Sequence, residues 1–231
     1  MTGPVNRDAE WQRLRAEVEQ VVQLVDSPLE LAGKQLNWLR VANPDVLLEA
    51  AVEGEDEKSE AEIDPFWAAT WRAAIGLDAF LARIDLTDTR VLELGCGSGQ
   101  AGTGAAIRGA RVTATDSVRL ALQVAELNAW FVRERIEFKP LVWSVQQLPG
   151  PAFPIILGSD LVYDPNLFPL LNICAREHLQ SGGRMYLSEP HRHTGDKFSS
   201  WIREAGWETL EHDIDLKDDR VPVRIFECWL P

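Results

Sequence analysis

The residues of this sequence best suited to chemistry lie in the stretch VLELGCGSGQAG, at residues 91–102. Apolar residues typical of a buried strand run directly into a turn that contains Gly95, Gly97 and Gly99. Glycine allows a tight turn and a close approach of a ligand to the backbone, and a following helix offers unpaired N–H groups. Asp116 stands about 20 residues further on, at the end of the next apolar segment, where it could accept hydrogen bonds from both hydroxyls of a ribose. The pattern therefore predicts a site for a ligand that contains a nucleoside.

Glu93 helps to decide which nucleoside ligand fits, because it lies just before the glycines. A dinucleotide fingerprint has the spacing G-x-G-x-x-G, whereas this chain has G-x-G-x-G and places Gln100 where the third glycine of that fingerprint would be. A carboxylate here would also repel a pyrophosphate, but it suits a ligand that carries a sulfonium and an ammonium group. S-adenosylmethionine is such a ligand, so we expect it to be the cofactor. An NAD-dependent oxidoreductase is the outside alternative.

The elements that must position these residues alternate between strands and helices from Arg90 onward. The predicted strands are RVLEL, RVTAT, IEFKPLVW, PIILGSD, RMYLSE, WETLEHDID and VPVRIFECWL, and the predicted helices end at Arg108 or span 117–131, 165–179 and 195–205. This alternation predicts an α/β fold with a Rossmann-like, seven-stranded, mostly parallel sheet and helices on both faces. The last two strands are separated by the polar turn LKDDR and are expected to form an antiparallel hairpin.

A different pattern precedes this region. Residues 7–25 have apolar residues at helical spacing, and residues 28–43 are interpreted as a short hairpin around Gly33 and Lys34. Residues 53–64 contain seven acids and one lysine, which fits either a solvated loop or a flexible acidic collar over an entrance. We therefore predict an N-terminal extension at residues 1–64 and a cofactor-binding domain at residues 65–231.

Composition and charge argue against several classes of function. The net charge is −13 without a cluster of Lys and Arg, so a nucleic-acid substrate is not expected; a basic protein substrate fits the charge, as does solubility alone. Neither an apolar run long enough for a membrane span nor an apolar signal region is visible. Cys96, Cys174 and Cys228 are interpreted as reduced thiols, and His191 and His193 lack the spacing and third ligand of a metal site. We therefore expect a cytoplasmic protein without a bound metal.

The glycine-containing stretch and the following VTATD resemble the class I, seven-strand methyltransferases, and the resemblance covers residues 90–231. DPFWAATW before the glycine strand, LVW at 141–143 and GSDLVYDPNLFPLL at 158–171 resemble the non-histone protein-lysine methyltransferases. The branch most similar in pattern includes the enzymes that act on the electron-transfer-flavoprotein β subunit. That branch has an acid-x-x-aromatic motif after its fourth strand, which Asp160 and Tyr163 match. Arg72 and neighbouring alanines replace a Pro-Gly pair found in some members, so the cap over the substrate is expected to differ.

The resemblance implies two sets of site residues. The expected cofactor-binding residues are Trp71, Glu93, Gly95, Cys96, Gly97, Gly99, Asp116, Ser117, Trp143 and Ser159, and the expected catalytic residues are Asp160 and Tyr163. The glycines would pass the methionine part of the cofactor over the backbone, and Glu93 would support their turn. Asp116 would bind the ribose, and Trp143 would pack on the adenine. Asp160 and Tyr163 would face the methyl acceptor.

Ordinary structural roles remain open for several of these residues. Asp116 or Ser117 could cap the next helix, and Asp160 could cap the helix at 165–179. Trp71 and Trp143 could be core aromatic residues.

The function implied by the resemblance is transfer of a methyl group from S-adenosylmethionine to a protein side chain, most simply lysine. Asp160 would capture and aim the lysine, while Tyr163 and nearby tryptophans would desolvate it. The alternatives are methylation of a small molecule or of another protein residue by the same fold, and a cofactor-binding module without turnover.

Overall fold

The computed structural model describes residues 7–45 and 65–231. Its strands, in chain order, are β1 Leu24–Leu31, β2 Lys34–Val41, β3 Arg90–Leu94, β4 Arg111–Asp116, β5 Ile136–Pro140, β6 Phe153–Ser159, β7 Leu179–Glu189, β8 Glu208–Ile214 and β9 Val223–Trp229. Its α-helices are α1 Arg7–Glu19, α2 Arg72–Leu81, α3 Gln100–Ile107, α4 Arg119–Asn128, α5 Phe168–His178 and α6 His193–Glu204. No helix within these residues is long and apolar enough to cross a membrane.

The centre of the fold is a seven-stranded sheet with the order β5-β4-β3-β6-β7-β9-β8. The strands from β3 to β7 pair in parallel, whereas β9 is antiparallel to both of its neighbours. The expected fold, including the antiparallel C-terminal hairpin, is confirmed. The chain runs outward from β3 to β5 and then returns to place β6 on the other side of β3, so the strand order reverses between β3 and β6. In open α/β sheets, ligands bind beyond the carboxyl ends of the strands at such a reversal.

Helices cover both faces of the sheet because its central strands are buried on both sides. One apolar cluster joins α2, α3 and α4 to the sheet and includes Leu77, Ala105 and Leu122. A second cluster joins α5 and α6 to the opposite face through Phe168 and Phe198. The sheet is therefore held rigidly between two helical layers, and the turns at its edge are the parts left to form a site.

The described part of the N-terminal extension packs against α4. Val18 and Val22 share an apolar cluster with Leu127. The side chain of Asn128 accepts a hydrogen bond from the Leu39 N–H at 2.8 Å and donates one to the Leu39 carbonyl at 3.1 Å. A buried amide that completes the exposed edge of β2 in this way fixes the hairpin to the sheet domain.

Several element boundaries differ from those expected. The first helix ends at Glu19, not at residue 25, because residues 24–31 pair in the hairpin. The hairpin turn lies at Ala32 and Gly33, one residue earlier than expected, since both residues have the positive φ angles of a type I′ turn. β5 ends at Pro140, while β7 begins at Leu179, before the expected segment at 184–189. The acidic stretch 53–64 lies outside the described residues.

Candidate active site

A cavity of about 500 Å³ opens at the carboxyl ends of β3, β4 and β6, beside the reversal of strand order. This volume is typical of small-molecule sites. Eleven of the twelve expected site residues line the cavity: Trp71, Glu93, Gly95, Cys96, Gly97, Asp116, Ser117, Trp143, Ser159, Asp160 and Tyr163. The remaining residue, Gly99, does not line it. The residues indicated by the glycine pattern and by the family resemblance therefore lie together at one place in the fold.

The glycine turn, residues 95–99, forms the floor of the cavity. Gly95, Gly97 and Gly99 all have positive φ angles, which favour glycine. A Cβ on Gly99 would lie 2.8 Å from the Cβ of Ala125 in α4. The third glycine is therefore needed for the close packing of the turn on α4, which explains why it lies outside the cavity wall.

Asp116 fixes the glycine turn while it faces the cavity. One carboxylate oxygen accepts a hydrogen bond from the Gly97 N–H at 2.9 Å, and the other accepts one from the Val118 N–H at 2.9 Å. Val118 is the residue that precedes α4, so Asp116 also orders the chain just before this helix, although its side chain does not cap the helix as the alternative had it. The two roles are compatible because the residue ends β4 at the cavity rim.

Glu93 is a buried carboxyl group between the glycine turn and α3. Its side chain is 1% exposed, and its Oε2 atom has no hydrogen-bond partner among the described residues. Burial, together with the nearby negative charge of Asp116, raises the pKa of Glu93 to about 8, although a hydrogen bond from the Gly102 backbone opposes this effect. A Cβ on Gly102 would lie 2.2 Å from Oε2, so the small residues of α3 make room for the carboxyl. A cation in the cavity would favour its ionised form.

Two residues that line the cavity carry further buried polar atoms without partners in the described part of the chain. The Nε2 atom of Gln100 and the Oγ atom of Ser159 are buried and make no hydrogen bond there. Buried polar atoms are nearly always paired, so these atoms mark places where a bound ligand would complete the hydrogen bonding. Cys96 is different: burial raises the pKa of its thiol well above the usual value, so the thiol is not ionised at neutral pH.

Aromatic side chains surround the mouth of the cavity. The Phe66 and Tyr163 ring centroids lie 5.3 Å apart, and the Trp71 indole N–H donates a hydrogen bond to the Phe66 carbonyl at 2.9 Å. Trp143 lines the cavity and also packs against the apolar cluster beneath α5 and α6, so its core-packing role is present, while its contact with an adenine stays a prediction. Phe66 was not singled out from the sequence, although it lies within the DPFWAATW motif.

Asp160 lines the cavity as one member of an ion pair that the sequence analysis did not include. It is 5% exposed, and both of its carboxylate oxygens accept hydrogen bonds from the guanidinium of Arg192, the second at 2.9 Å. The Arg192 guanidinium also lies 5.7 Å from the centre of the Trp71 ring. Arg192 was missed in the sequence, where attention fell on its neighbours His191 and His193. Neither histidine lines the cavity, and no cluster of three metal-ligating side chains occurs in the described ranges.

Residues 59–204, more than half of the chain, match the sequence model of a protein family described as lysine methyltransferase. The protein N-lysine methyltransferase METTL21A of Danio rerio is 36% identical over 128 residues, with 52% of this chain and 58% of the relative covered. The EEF1A lysine methyltransferase 3 of Mus musculus is 34% identical over 169 residues, with 70% and 71% covered.

A relative with a different acceptor is also similar. The ubiquinone biosynthesis O-methyltransferase of Dechloromonas aromatica is 32% identical over 111 residues, with 47% of each chain covered. This chain therefore spans about half the length of that enzyme and of the Danio rerio relative.

Solved structures share the fold at low sequence identity. The glycopeptide N-methyltransferase MtfA, complexed with S-adenosyl-L-methionine, has a TM-score of 0.61 and 16% identity, with 71% of this chain and 97% of that chain covered. A ribosomal protein L11 methylase from Lactobacillus delbrueckii subsp. bulgaricus has a TM-score of 0.56 and 18% identity, with 71% and 81% covered. These likenesses concern the fold alone.

Proposed function

Because the chain belongs to the lysine methyltransferase family, we propose that it transfers the methyl group of S-adenosylmethionine to a lysine side chain of a protein. The observation that carries this proposal is a single cavity in which the glycine turn and two buried carboxyl groups, Glu93 and Asp116, adjoin an aromatic mouth that ends at Asp160. The glycine turn and the two carboxyl groups suit a cationic nucleoside, and the aromatic mouth suits the slender side chain of a lysine.

The residues present fit this cofactor. Among the residues that the structure describes, the buried Oε2 atom of Glu93 has no partner and suits a positively charged ligand, and Gln100 and Ser159 offer further unpaired polar atoms. We assign the methionine part to the glycine turn, the ribose to Asp116 and the adenine to Trp143. Trp71 and Ser117 complete this set on the cavity wall.

The chain's own residues would position and desolvate the acceptor. When bound, the cofactor supplies a methyl group activated by its sulfonium. A lysine amine of pKa about 10.4 must lose a proton to react, which costs about 4.6 kcal/mol at pH 7. The aromatic mouth formed by Phe66, Trp71 and Tyr163 would lower this cost, because burial disfavours the ammonium form. Effective molarities of about 10⁵–10⁸ M indicate what positioning alone can contribute.

The partner is inferred to be a protein, and the location to be the cytoplasm. The charge of −13 favours a basic protein over a nucleic acid. All three cysteines are free and buried, in keeping with a reducing compartment. We also infer that the protein works without a membrane partner, and that the N-terminal 64 residues contribute to the choice of substrate.

A small-molecule acceptor is the second candidate function. The observation in its favour is the similarity to an O-methyltransferase of ubiquinone biosynthesis over 111 residues. The largely apolar mouth of the cavity would also admit a hydrophobic acceptor.

Label transfer separates the two candidates. The enzyme is incubated with methyl-labelled S-adenosylmethionine and a clarified cell extract, and samples are treated with protease or nuclease. We expect a discrete labelled band that protease removes and nuclease does not, with the label on lysine after hydrolysis. Label confined to small molecules would instead establish the second candidate.

Asp160→Asn tests the acceptor site. We expect protein labelling to fall by about 10²-fold, as when a reacting group is misplaced, while binding of S-adenosylhomocysteine remains. Asp213→Asn is the control, because that carboxyl is 66% exposed and outside the cavity. Unchanged turnover of the Asp160 variant with normal cofactor binding would contradict an acceptor-site role for Asp160.

A further inference from the structure

The place proposed for the acceptor amine already contains a positive charge from the chain itself. The Asp160 side chain is 4% exposed, whereas that of Arg192 is 34% exposed, so the guanidinium reaches the buried carboxylate from the cavity side. A fork-shaped guanidinium that occupies both carboxylate oxygens leaves Asp160 without a free negative charge.

The protein holds Arg192 in this position through its backbone. The Arg192 N–H donates a hydrogen bond to Oε2 of Glu189 at 2.6 Å. The other oxygen of Glu189 accepts one from Arg224 at 2.5 Å, and both side chains of this pair are almost fully buried. A buried ion pair between β7 and β9 therefore anchors the loop that carries Arg192. Because both partners of this pair belong to the sheet, the sheet fixes the position of Arg192 at the cavity.

Two unusual backbone conformations support the same conclusion. Asp160 has a φ of 59° and His191, next to Arg192, has a φ of 60°, both in the left-handed region. The Asp160 N–H is held there by a hydrogen bond to the Ser188 carbonyl at 2.8 Å. Non-glycine residues in this region cluster at functional sites, where the surrounding structure fixes them. The backbone of Asp160 and that of His191, the residue before Arg192, thus help to set the direction of the two side chains of the ion pair.

An unpaired Asp160 would work against methyl transfer to lysine. A carboxylate within about 4–6 Å of an amine favours the charged ammonium and shifts the amine pKa by about 1–3. The ammonium has no lone pair with which to attack a methyl group. A carboxylate neutralised by Arg192 removes this bias and still leaves a polar end to the aromatic mouth.

Other titratable groups do not replace Arg192 in this role. On the cavity wall the remaining titratable groups are Glu93, Cys96, Asp116 and Tyr163, none of which carries a positive charge. The histidines on either side of Arg192 face other carboxyls, namely Asp213 and Asp196. Within the described residues, Arg192 is therefore the cation that lines the acceptor end of the cavity.

We propose that Arg192 is a specificity-determining positioning residue, which keeps Asp160 neutralised so that the cavity receives the neutral amine of lysine and does not trap its ammonium. This inference rests on the proposed function. It differs from a simple displacement scheme, in which the incoming ammonium pushes Arg192 aside and pairs with Asp160 itself.

The pH dependence of the rate separates the two schemes. Initial rates of label transfer into protein of the cell extract are measured from about pH 6.5 to 9.5 for wild type, Arg192→Gln and Arg192→Lys. We expect the rise of the Arg192→Gln rate with pH to move upward by about 1 pH unit or more, which is a loss of about tenfold near neutral pH that alkaline pH recovers. Arg192→Lys should restore most of the wild-type profile, because it keeps the charge.

Two further variants keep the test independent of folding. Arg203→Gln is the matched control, since Arg203 pairs with Glu211 on the surface of α6 and lies outside the cavity. The double variant Asp160→Asn/Arg192→Gln leaves no uncompensated charge. Its rate should rise over the same pH range as that of wild type, even if Arg192→Gln alone is unstable.

The outcomes distinguish this inference from the proposed function. A wild-type enzyme that labels no lysine would overturn both. Lysine labelling by wild type, with the same pH profile for Arg192→Gln, would overturn the inference alone and favour displacement. A loss of S-adenosylhomocysteine binding in Arg192→Gln and in the double variant would assign Arg192 to the cofactor and also overturn it.

Discussion

Replacement of Glu93 by glutamine should stabilise the ligand-free protein at neutral and alkaline pH. Glu93 is 1% exposed and its pKa is raised from 4.5 to about 8, chiefly by burial. The neutral carboxyl is therefore the form that the folded protein prefers. Glutamine has nearly the same shape and is neutral at every pH, so it reproduces the protonated side chain.

The sign and size of the effect follow from proton linkage. Below pH 4.5 the carboxyl is protonated in both folded and unfolded chains, and it contributes no pH dependence. Between pH 4.5 and about 8 only the unfolded chain releases the proton, so the free energy of unfolding falls as pH rises. The two pKa values differ by about 3.5, and each pH unit corresponds to about 1.4 kcal/mol. Glu93 should therefore lower the free energy of unfolding by roughly 3–5 kcal/mol across this pH range.

The assay is chemical denaturation of wild type and Glu93→Gln at several pH values across this window. Groups distant from Glu93 titrate alike in both proteins, so the difference between the two free energies reports Glu93 together with its coupling to Asp116 and Cys96. We expect that difference to grow with pH in favour of the variant. Glu177→Gln is the control, because Glu177 is an exposed glutamate of α5 and its replacement should give no such trend.

Binding of the proposed cofactor should favour the glutamate at residue 93 over glutamine, the reverse of the preference expected for the stability of the ligand-free protein. A cationic ligand beside Glu93 favours the ionised carboxyl, so binding to wild type should release a proton below about pH 8. Calorimetry in buffers of different ionisation enthalpy measures this release, and Glu93→Gln should lack it while binding more weakly.

A constant difference in stability between the two proteins over the whole pH range would refute the reasoning, since Glu93 would then titrate as it does in water.

Two other substitutions test the glycine turn. Asp116→Asn replaces one acceptor oxygen with an amide donor, which would face a backbone N–H such as that of Gly97. Titration calorimetry should therefore show at least about tenfold weaker binding of S-adenosylhomocysteine. Denaturation should show a loss of about 1–3 kcal/mol in the free energy of unfolding. Binding equal to that of wild type would exclude Asp116 from the cofactor site. Gly99→Ala should lose about 2–4 kcal/mol in denaturation, because it adds backbone strain at φ +88° to a Cβ contact of 2.8 Å with Ala125. Gly33→Ala, at φ +71° with no atom of residues 7–45 or 65–231 within 4 Å of its Cβ, should lose only about 1 kcal/mol. Equal losses for the two variants would exclude the packing contribution at Gly99.

The structure corrects the sequence-based analysis mainly where the contacts are distant in the chain. Gly99 stays a predicted cofactor residue, and the structure adds a contact that no local pattern shows: Gly99 packs so closely on Ala125 that a Cβ would not fit, and it does not itself line the cavity. The first helix was predicted six residues too long, because the apolar residues at its end belong to β1. A short apolar segment fits both helical spacing and strand alternation, so only its pairing with β2 decides between a helix and a strand.

The sequence by itself determined the class of fold and the place of the site. Alternating strands and helices predict a parallel sheet, and a glycine turn with Glu93 and Asp116 at strand ends predicts a ligand site at the carboxyl edge of that sheet. These features are local, since each depends on residues close together in the chain. The tertiary structure alone decided that Arg192 pairs with Asp160, 32 residues away, and that Phe66 joins Tyr163 at the cavity mouth. Those contacts depend on strand order, register and loop direction, which no local spacing records.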